Sequence, residues 1–453
     1  MAKTLSNCVT DRLTSLPDTL LVEILSLLPF KSAAATSVLS RRWCHLWTQL
    51  PHLFLDGPWP RSTNSDYFLE FHQFITTVDH ILHQITSHHI QTFHLHIPFP
   101  PTLEKDEFDV FSAYFESWIR LICVRNVVKI KVSCDFPVFI SPHVPLPSFI
   151  FETESLVELE LGGNLRCKLP ETGIVNLPNL KKVVLIDLPI NRSVFKTLFT
   201  SSPLLETLSL ELDSDSANFE LLNISSQNLK SLIIRGKSRH FMFMIDAPTL
   251  EHIEIRGFLG IYKFVKLPAR LLSADLDISN FSYSRTDYLT HIPELVQGIS
   301  SVESLNLLNG LAVFNALNTS DLIDLGSVFR NLVHLRLDMT TNEADLGDRN
   351  PIPVCLLSKL KKIMLLNIKG NTNDVKLLVY ILSKAINLDR LYVSSVYDGN
   401  GGDGSEGFQL WREYELPMTM LMVPWSSKIE FDGDCIRLLS NDMSQNGFIV
   451  KVN

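Results

Sequence analysis

An apolar triplet of the form L-x-x-L-x-L, in which Ile, Val or Ala can replace Leu, recurs ten times between residues 156 and 393, and its first positions are 21 to 31 residues apart. One such unit cannot bury its own apolar edge, so neighbouring units must stack on one another. We therefore expect an α/β fold built as an irregular leucine-rich-repeat solenoid, a parallel-strand horseshoe with helices or irregular turns on its outer side. The ten triplets are Leu156/Leu159/Leu161, Leu180/Val183/Leu185, Leu205/Leu208/Leu210, Leu229/Leu232/Ile234, Leu250/Ile253/Ile255, Leu271/Ala274/Leu276, Val302/Leu305/Leu307, Leu332/Leu335/Leu337, Leu360/Ile363/Leu365 and Leu388/Leu391/Val393.

Helices and strands are also predicted outside these triplets. Apolar residues at helical spacing predict helices over 67–87 and 108–124, and short alternating runs typical of strands follow at 90–95 and 127–132. Two further outer helices are predicted over 191–202 and 373–385.

The segment 11–56 contains three short stretches with helical periodicity. Asp18 is the predicted N-cap of the first helix, which Pro29 ends, and Ser40 is the predicted N-cap of the third, which Pro51 ends. So small a unit has too little interior to bury all of its apolar side chains. Part of this surface is therefore expected to face a partner.

The same segment resembles an F-box, through Leu16-Pro17-Asp18, Ile24-Leu25, Leu28-Pro29, Ser37-Val38-Leu39-Ser40, Arg42-Trp43 and Leu46-Trp47. The resemblance implies docking on the Skp-type adaptor of a cullin-RING ubiquitin ligase, with the rest of the chain choosing the substrate. The residues expected to bind the adaptor are Leu16, Pro17, Leu21, Ile24, Leu25, Leu28, Pro29, Leu39, Trp43 and Trp47. An ordinary three-helix start to a larger domain is the alternative.

The irregular repeats resemble those of plant F-box proteins with leucine-rich repeats, and segments 354–393 and 423–433 resemble the FBD region of the same proteins. The expected organisation is an F-box at 11–56, a linker and packing helix at 57–88, leucine-rich repeats at 89–345, and an FBD-like region at 346–453 that continues the solenoid.

Composition and charge favour a protein partner. The 453 residues are 45% hydrophobic, and a net charge of −9 without a long Lys/Arg run argues against nucleic acid or an anionic membrane. The seven cysteines are scattered and form no C-x-x-C pair, and residues 1–12 lack the apolar core of a signal peptide. We therefore expect a reducing, cytoplasmic or nuclear location.

Two stretches carry residue types found in binding sites. Seven of the fourteen histidines lie between His72 and His96, but no cysteine lies among them and the nearby carboxylates have no recognised ligand spacing, so no metal is expected. The glycine-rich run 398–407 lacks the Gly-Lys-Ser/Thr of a phosphate loop and is predicted to be a mobile polar loop. Since no nucleophile or acid/base pair stands out, we expect neither catalysis nor a cofactor.

The expected function is that of a non-catalytic substrate-recognition subunit of an SCF-type (Skp-cullin-F-box) E3 ubiquitin ligase. Its partners would be the Skp-type adaptor, through it the cullin and RING subunits, and a protein substrate that the sequence does not identify. A leucine-rich-repeat interaction scaffold with no ubiquitin-ligase engagement is the alternative. A hydrolase would need a catalytic constellation that the sequence does not show.

The substrate is expected on the concave face, toward which the residue between the second and third apolar positions of each triplet points. In order, these residues are Glu160, Val184, Ser209, Ile233, Glu254, Asp275, Asn306, Arg336, Met364 and Tyr392. Arg336 and Tyr392 are the first expected anchors, because arginine and aromatic residues dominate protein interfaces. Met364 lies between them, and Glu254 and Asn306 complete the predicted set. The alternative is that the C-terminal segment folds over this end.

Overall fold

The computed structural model describes residues 13, 15–57, 66–99, 104–135, 143–167, 175–188, 192–212, 220–236, 241–257, 260–277, 292–308, 328–339, 352, 354–368, 372–395 and 428–432. They belong to two compact units, residues 1–205 and 206–453. The glycine-rich run 398–407 lies outside the described residues. None of the helices in the described part of the chain combines the length and apolarity needed to cross a bilayer.

The first unit begins with helices α1 (Asp18–Ser26) and α2 (Phe30–Ala35), followed by 3₁₀-helices at Thr36–Val38 and Trp43–Gln49. Two predicted caps are wrong. Pro17, extended at φ −64° and ψ 153°, is the N-cap of α1, so Asp18 lies in the first helical turn. Arg42 replaces Ser40 as N-cap of the last helix, which is a 3₁₀-helix rather than an α-helix; such tight helices suit short segments.

These helices close over a small apolar core of their own. Leu21 and Leu25 of α1 are buried together with Trp43 and Trp47. The Trp47 ring meets that of Phe30 edge-on, with centroids 6.1 Å apart, and its indole Nε1 donates to the Cys44 carbonyl at 3.0 Å. Because the Trp47 N–H has this partner, the ring is buried without an unsatisfied donor.

Strand β1 (His52–Asp56) joins this helical segment to the sheet of the first unit. It pairs in parallel with residues 92–96, and the Thr48 carbonyl accepts a hydrogen bond from the Thr86 amide at 2.9 Å. The helical segment is therefore fixed to the first strands by backbone hydrogen bonds.

The sheet of the first unit has the strand order β1-β2-β3-β5-β7, all parallel. The remaining strands of this unit are β2 (Thr92–Pro98), β3 (Lys129–Asp135), β4 (Val144–Leu146), β5 (Glu158–Gly163), β6 (Leu165–Cys167) and β7 (Lys182–Ile186), of which β4 and β6 form a separate pair. Helices α3 (Asp66–Gln84), α4 (Lys105–Val124) and α5 (Arg192–Ser201) confirm the predictions over 67–87, 108–124 and 191–202. A 3₁₀-helix lies at Ser148–Glu152.

Helices α3 and α4 pack through aromatic side chains. Phe71, Phe111 and Trp118 are buried, and the rings of Phe99 and Phe111 meet edge-on with centroids 4.8 Å apart. Trp118 Nε1 donates to Asp79 Oδ1 at 3.0 Å, which links the two helices. The glutamate pair Glu104/Glu107 caps the start of α4.

In the second unit, nine strands form a parallel sheet in the order β8-β10-β12-β14-β15-β16-β17-β18-β19. The strands of this unit are β8 (Thr207–Leu212), β9 (Glu220–Ser225), β10 (Ser231–Gly236), β11 (Phe241–Asp246), β12 (His252–Gly257), β13 (Ile261–Lys266), β14 (Ser273–Asp277), β15 (Ser304–Leu308), β16 (His334–Asp338), β17 (Lys362–Ile368), β18 (Arg390–Ser395) and β19 (Lys428–Asp432). Its helices are α6 (Ile292–Gly298), α7 (Val354–Leu357) and α8 (Thr372–Lys384), and α8 confirms the helix predicted over 373–385.

The second and third positions of all ten predicted triplets lie in strands, and these apolar residues are in register. In the second unit, for example, Leu208, Leu232 and Ile253 occupy equivalent positions on adjacent strands and are buried. This arrangement confirms the predicted α/β fold, in which a helical N-terminal segment is followed by stacked parallel-strand repeats.

The outer side of the repeats differs from the expectation in part. The repeats that start at Leu205, Leu229 and Leu250 carry strands β9, β11 and β13 there, and these pair in parallel as a second small sheet. Their spacings are 24, 21 and 21 residues. The 25-residue repeat that starts at Leu180 contains α5, and the repeats that start at Leu271, Leu332 and Leu360, of 31, 28 and 28 residues, contain α6, α7 and α8. An extended segment crosses the outer side with fewer residues than a helix, because a strand advances about twice as far per residue as a helix. This suits the repeats with the fewest residues.

Glycines end two of the core strands in a conformation that other residues rarely adopt. Gly163 has φ +74°, and a Cβ placed there would lie 2.1 Å from the Cys134 carbonyl oxygen on the neighbouring strand. Gly257 has φ +100°, and its Cβ would lie 1.9 Å from the Gly236 oxygen. Both positions therefore need glycine for the backbone angle and for the close approach of two strands.

We expect Gly163→Ala to lower the free energy of unfolding by about 1–3 kcal/mol, the usual scale of such backbone strain. Gly162→Ala is the matched control, since its Cβ would meet only ordinary contacts, the nearest being Ser133 Cβ at 3.5 Å. Urea unfolding of both variants measures the difference. Equal stability of the two variants would contradict the assigned conformation of Gly163.

Candidate functional surfaces

Exposed apolar side chains are concentrated in the N-terminal helical segment. Of the sixteen large apolar side chains that are exposed among the described residues, seven lie between residues 13 and 39. Leu20 and Ile24 of α1 and Leu27, its C-cap, follow the i, i+4, i+7 spacing and form an outward stripe, while Leu21 and Leu25 face the core. Helix α1 is therefore apolar on two sides, and only one of them packs within the chain.

The predicted adaptor-binding residues divide into two groups. Exposed in this chain are Pro17, Ile24, Leu28, Pro29 and Leu39, with Leu16 half-buried. Buried are Leu21, Leu25, Trp43 and Trp47, which pack beneath the surface. In this conformation the buried group supports the shape of the surface, and contact of any of these residues with an adaptor stays a prediction.

The prediction omitted the two most exposed apolar residues of this segment. Leu27 is 85% exposed and Val38 is 86% exposed. The helical spacing from Leu20 through Ile24 already pointed to Leu27 as part of the outer stripe. Val38 precedes Leu39 at the end of a 3₁₀-helix, where no long periodic run exists to assign a face.

An arginine holds the start of α1 against the last helix of this segment. The Arg42 guanidinium lies 2.6 Å from Asp18 Oδ1 and also donates to the Leu16 carbonyl. Both side chains of this ion pair are partly exposed, so its contribution to stability is small. Its geometric effect is to fix the Leu16-Pro17-Asp18 turn beside the outer stripe of α1.

The second unit presents a continuous row of side chains on the sheet face opposite to its buried leucines, here called the open face. Adjacent strands place Ser209, Ile233, Glu254, Asp275, Asn306, Arg336, Met364 and Tyr392 in register, and Glu430 of β19 continues the row. Arg336 is exposed, whereas Met364 and Tyr392 are half-buried. Glu430 was missed because no complete triplet precedes it.

Two predicted substrate-binding residues are already held by their neighbours. Glu254 Oε1 lies 2.9 Å from Arg235 Nη2 and 2.8 Å from Arg256 Nε. Asn306 Nδ2 donates to Asp275 Oδ1 at 2.6 Å. These contacts order the surface between β10 and β15, so a ligand there would meet preformed polar groups.

The histidine-rich stretch contributes to the equivalent face of the first unit. Burial lowers the pKa of His94 from 6.5, an effect that Asp56, 3.7 Å from Nε2, partly offsets. Within the described residues, no three His, Cys, Asp or Glu side chains are grouped to hold a metal ion.

One contact in this stretch brings together a serine, a histidine and an aspartate. His96 Nδ1 lies 2.7 Å from Ser133 Oγ and 3.8 Å from Asp135 Oδ2, and Nε2 is buried. A catalytic triad needs the serine and the acid on opposite ring nitrogens. Since both lie at Nδ1, this geometry does not activate Ser133 as a nucleophile.

Comparison with known proteins gives a match for each of the three segments. The family model for the F-box domain matches residues 13–55, and that for FBD matches residues 349–392. The model described as "FBD-associated F-box protein At5g56370, LRR repeats" matches residues 115–263. F-box and leucine-rich-repeat segments indicate a protein-interaction function, and proteins with this domain set are typically non-catalytic adaptors.

Similar proteins come from Arabidopsis thaliana. F-box/LRR-repeat protein 13 is 34% identical over 308 residues, which cover 65% of this chain and 64% of that protein. F-box/LRR-repeat protein At2g42720 is 30% identical over 342 residues, or 72% of each chain. F-box/FBD/LRR-repeat protein At3g14710 is 26% identical over 424 residues, covering 85% of this chain and 88% of that protein.

The order of the three matched segments along the chain agrees with the fold. Helices α1 and α2 and all but the last residue of β1 fall within the F-box match. Repeats of both units fall within the leucine-rich-repeat match, and strands β17 and β18 with α8 reach into the FBD match. The chain therefore belongs to the plant family of F-box/leucine-rich-repeat proteins that carry an FBD region.

Proposed function

We propose that this protein is the substrate-recognition subunit of an SCF-type E3 ubiquitin ligase. Its F-box docks on a Skp-type adaptor, and through it on the cullin and RING subunits, while the open face of the repeats binds the substrate. The observation that carries the proposal is the outward stripe of α1, Leu20, Ile24 and Leu27, in a segment that matches the F-box domain.

The exposed side chains give the adaptor contact a sufficient driving force. Burial of a leucine or valine side chain that is largely exposed contributes about 1.5–3 kcal/mol. Leu27 and Val38, with Leu28 and Leu39, offer several such side chains within one short segment. A monomer gains nothing from keeping them in water, which supports an obligate partner at this site.

The role proposed for the repeats is to raise the local concentration of a substrate. A bound substrate meets the activated ubiquitin carrier as part of one complex, so binding alone accelerates the reaction without any chemistry from this chain. The backbone bonds between β1 and β2 support this role, because they stop the F-box from turning freely against the first strands. A reducing cytoplasmic or nuclear location fits the free thiols among the described residues, of which Cys134 is buried.

We expect the double variant Leu27→Ser/Val38→Ser to lose most of its co-purification with the adaptor. Each change removes an apolar side chain worth about 1–2 kcal/mol of binding, so the pair weakens the complex by at least about ten-fold. Both residues are exposed, so the fold should be unaffected. Affinity purification followed by quantification of the adaptor measures the loss.

Leu69→Ser on α3 is the matched control, because Leu69 is 61% exposed in the same unit but outside the F-box match. It should retain the adaptor. If the folded wild-type chain recovers no adaptor, the ligase proposal is contradicted, and a repeat scaffold without ligase engagement is favoured.

We expect Arg336→Ala/Tyr392→Ala to lose substrates while it keeps the adaptor. The two residues flank Met364 on adjacent strands of the open face. Comparison of proteins recovered with wild type and variant, under proteasome inhibition, measures this loss. Ile386→Ala is the control, since Ile386 is 71% exposed in the connection between α8 and β18. Equal loss from both variants would refute the placement of the substrate on the open face.

A further inference from the structure

The last helix of the F-box segment reaches the sheet through a short connection. The 3₁₀-helix Trp43–Gln49 ends at its C-cap Leu50, whose backbone is extended at φ −64° and ψ 134°, and Pro51 then leads into β1. The parallel pairing with β2 fixes β1 itself. It does not by itself fix the direction of the preceding helix, because the connecting residues have rotatable backbone angles.

A turn after α3 contacts this helix through three donors that converge on Thr48. The Thr48 carbonyl accepts from the Thr86 amide at 2.9 Å and from the Ser87 amide at 3.3 Å. The Thr48 hydroxyl donates to the His45 carbonyl at 2.7 Å, so in its 3.1 Å contact with the Thr86 hydroxyl the donor is Thr86. Thr86 therefore donates both its amide and its hydroxyl to Thr48, which is buried.

The same turn is held from the side of α4 by Arg125, the C-cap of that helix. Arg125 Nη2 donates to the Ile85 carbonyl at 3.0 Å, directly after the end of α3, and Nη1 donates to the Leu121 carbonyl at 2.8 Å. Carbonyls at a helix C-terminus lack partners within the helix and carry partial negative charge, so a cation is favoured there. One guanidinium thus ties the C-terminal ends of α3 and α4 together.

The far end of the turn is bonded to the F-box segment as well. The Pro51 carbonyl accepts from the amides of Gln91 and Thr92 at 2.8 and 3.1 Å. We call Thr48, residues 85–92 and Arg125 the joint. Its hydrogen bonds set an angle because they are directional, whereas the apolar packing of the F-box helices is not.

We propose that Thr48 and Arg125 are positioning residues, which hold the joint and so fix the direction in which the first repeats leave the F-box. The proposal rests on the proposed function and deepens it. The adaptor orients the F-box, and the joint passes this orientation on to the strands of the first unit. A lysine accepts ubiquitin only within reach of the activated carrier, so a fixed direction selects which lysines are modified.

The first test measures a distance across the joint in the purified full chain by pulsed electron paramagnetic resonance. Spin labels are attached at the exposed positions Lys31 of α2 and Asp109 of α4, through an introduced keto amino acid that spares the seven cysteines. We expect Thr48→Val/Arg125→Met to make the distribution of distances about two-fold wider than in wild type, because the directional side-chain bonds are lost while side-chain size is nearly kept.

Thr77→Val/Arg120→Met is the matched control. The Thr77 hydroxyl donates to the Gln73 carbonyl of its own helix at 2.6 Å, and Arg120 pairs with Glu116 of its own helix and lies over the Phe149 ring. The control removes the same chemical groups outside the joint, so it should keep the wild-type distribution. The proposal is overturned if the control widens the distribution equally, or if the joint variant loses thermal stability without any widening.

The second test maps the lysines that are modified when the chain is assembled with the adaptor, cullin, RING subunit and conjugating enzyme. In wild type we expect ubiquitin on few of the exposed lysines of the first unit, among them Lys105, Lys129 and Lys181. The joint variant should spread the modification over more of them, while its affinity for the adaptor stays unchanged. Mass spectrometry measures the share on each lysine, and the same shares in both proteins would overturn the positioning role.

The two measurements separate this proposal from the proposed function, because the distance measurement needs no adaptor. If the wild-type chain recovers no adaptor, the proposed function fails whatever the distances show. If the adaptor is recovered and the joint variant leaves the distances unchanged, only the positioning role of Thr48 and Arg125 is overturned.

Discussion

The register of the buried leucine rows determines what the surface of the repeats can be. Because side chains alternate across a strand, burying Leu335 and Leu337 forces Arg336 outward, and the same holds on every neighbouring strand. Parallel pairing without a shift then aligns these outward residues into rows. The alignment of side chains on the open face is thus a consequence of core packing, and its chemistry changes only with the residues between the leucines.

The outer side of the repeats is much less constrained. Strands β9, β11 and β13 occupy it in the short repeats and helices in the longer ones, yet the core strands keep the same register. Glycines at the strand ends, such as Gly163 and Gly257, permit the close approach of neighbouring backbones where one repeat turns into its outer segment. Variation in repeat length is therefore absorbed away from the open face.

Elements whose periodicity has only one physical meaning were predictable from the sequence. The triplets were predictable because a two-residue alternation ending in Leu-x-Leu fits a half-buried strand. The outer strand β11 was not, because residues 241–245 are all apolar, and such a run does not distinguish strand from helix. Asp18 was misplaced because Asp is a good N-cap in general, while the extended backbone of Pro17 starts the helix one residue earlier.

The residue types on the functional surfaces could be predicted from the sequence, whereas the exposure of each side chain could not. Leu20 and Leu21 are adjacent leucines on a helix that is apolar on both sides, and only the fold shows that Leu21 packs inward and Leu20 outward.

Strand β1 limits where this chain can be cut into stable fragments. It pairs with β2 and so covers one edge of the first unit's sheet. A fragment that begins after the F-box match would leave the N–H and C=O groups of β2 unpaired along that edge, which is a template for strand-to-strand aggregation. The segment that matches the F-box therefore also protects the first repeats, because its last strand covers an edge that would otherwise be open.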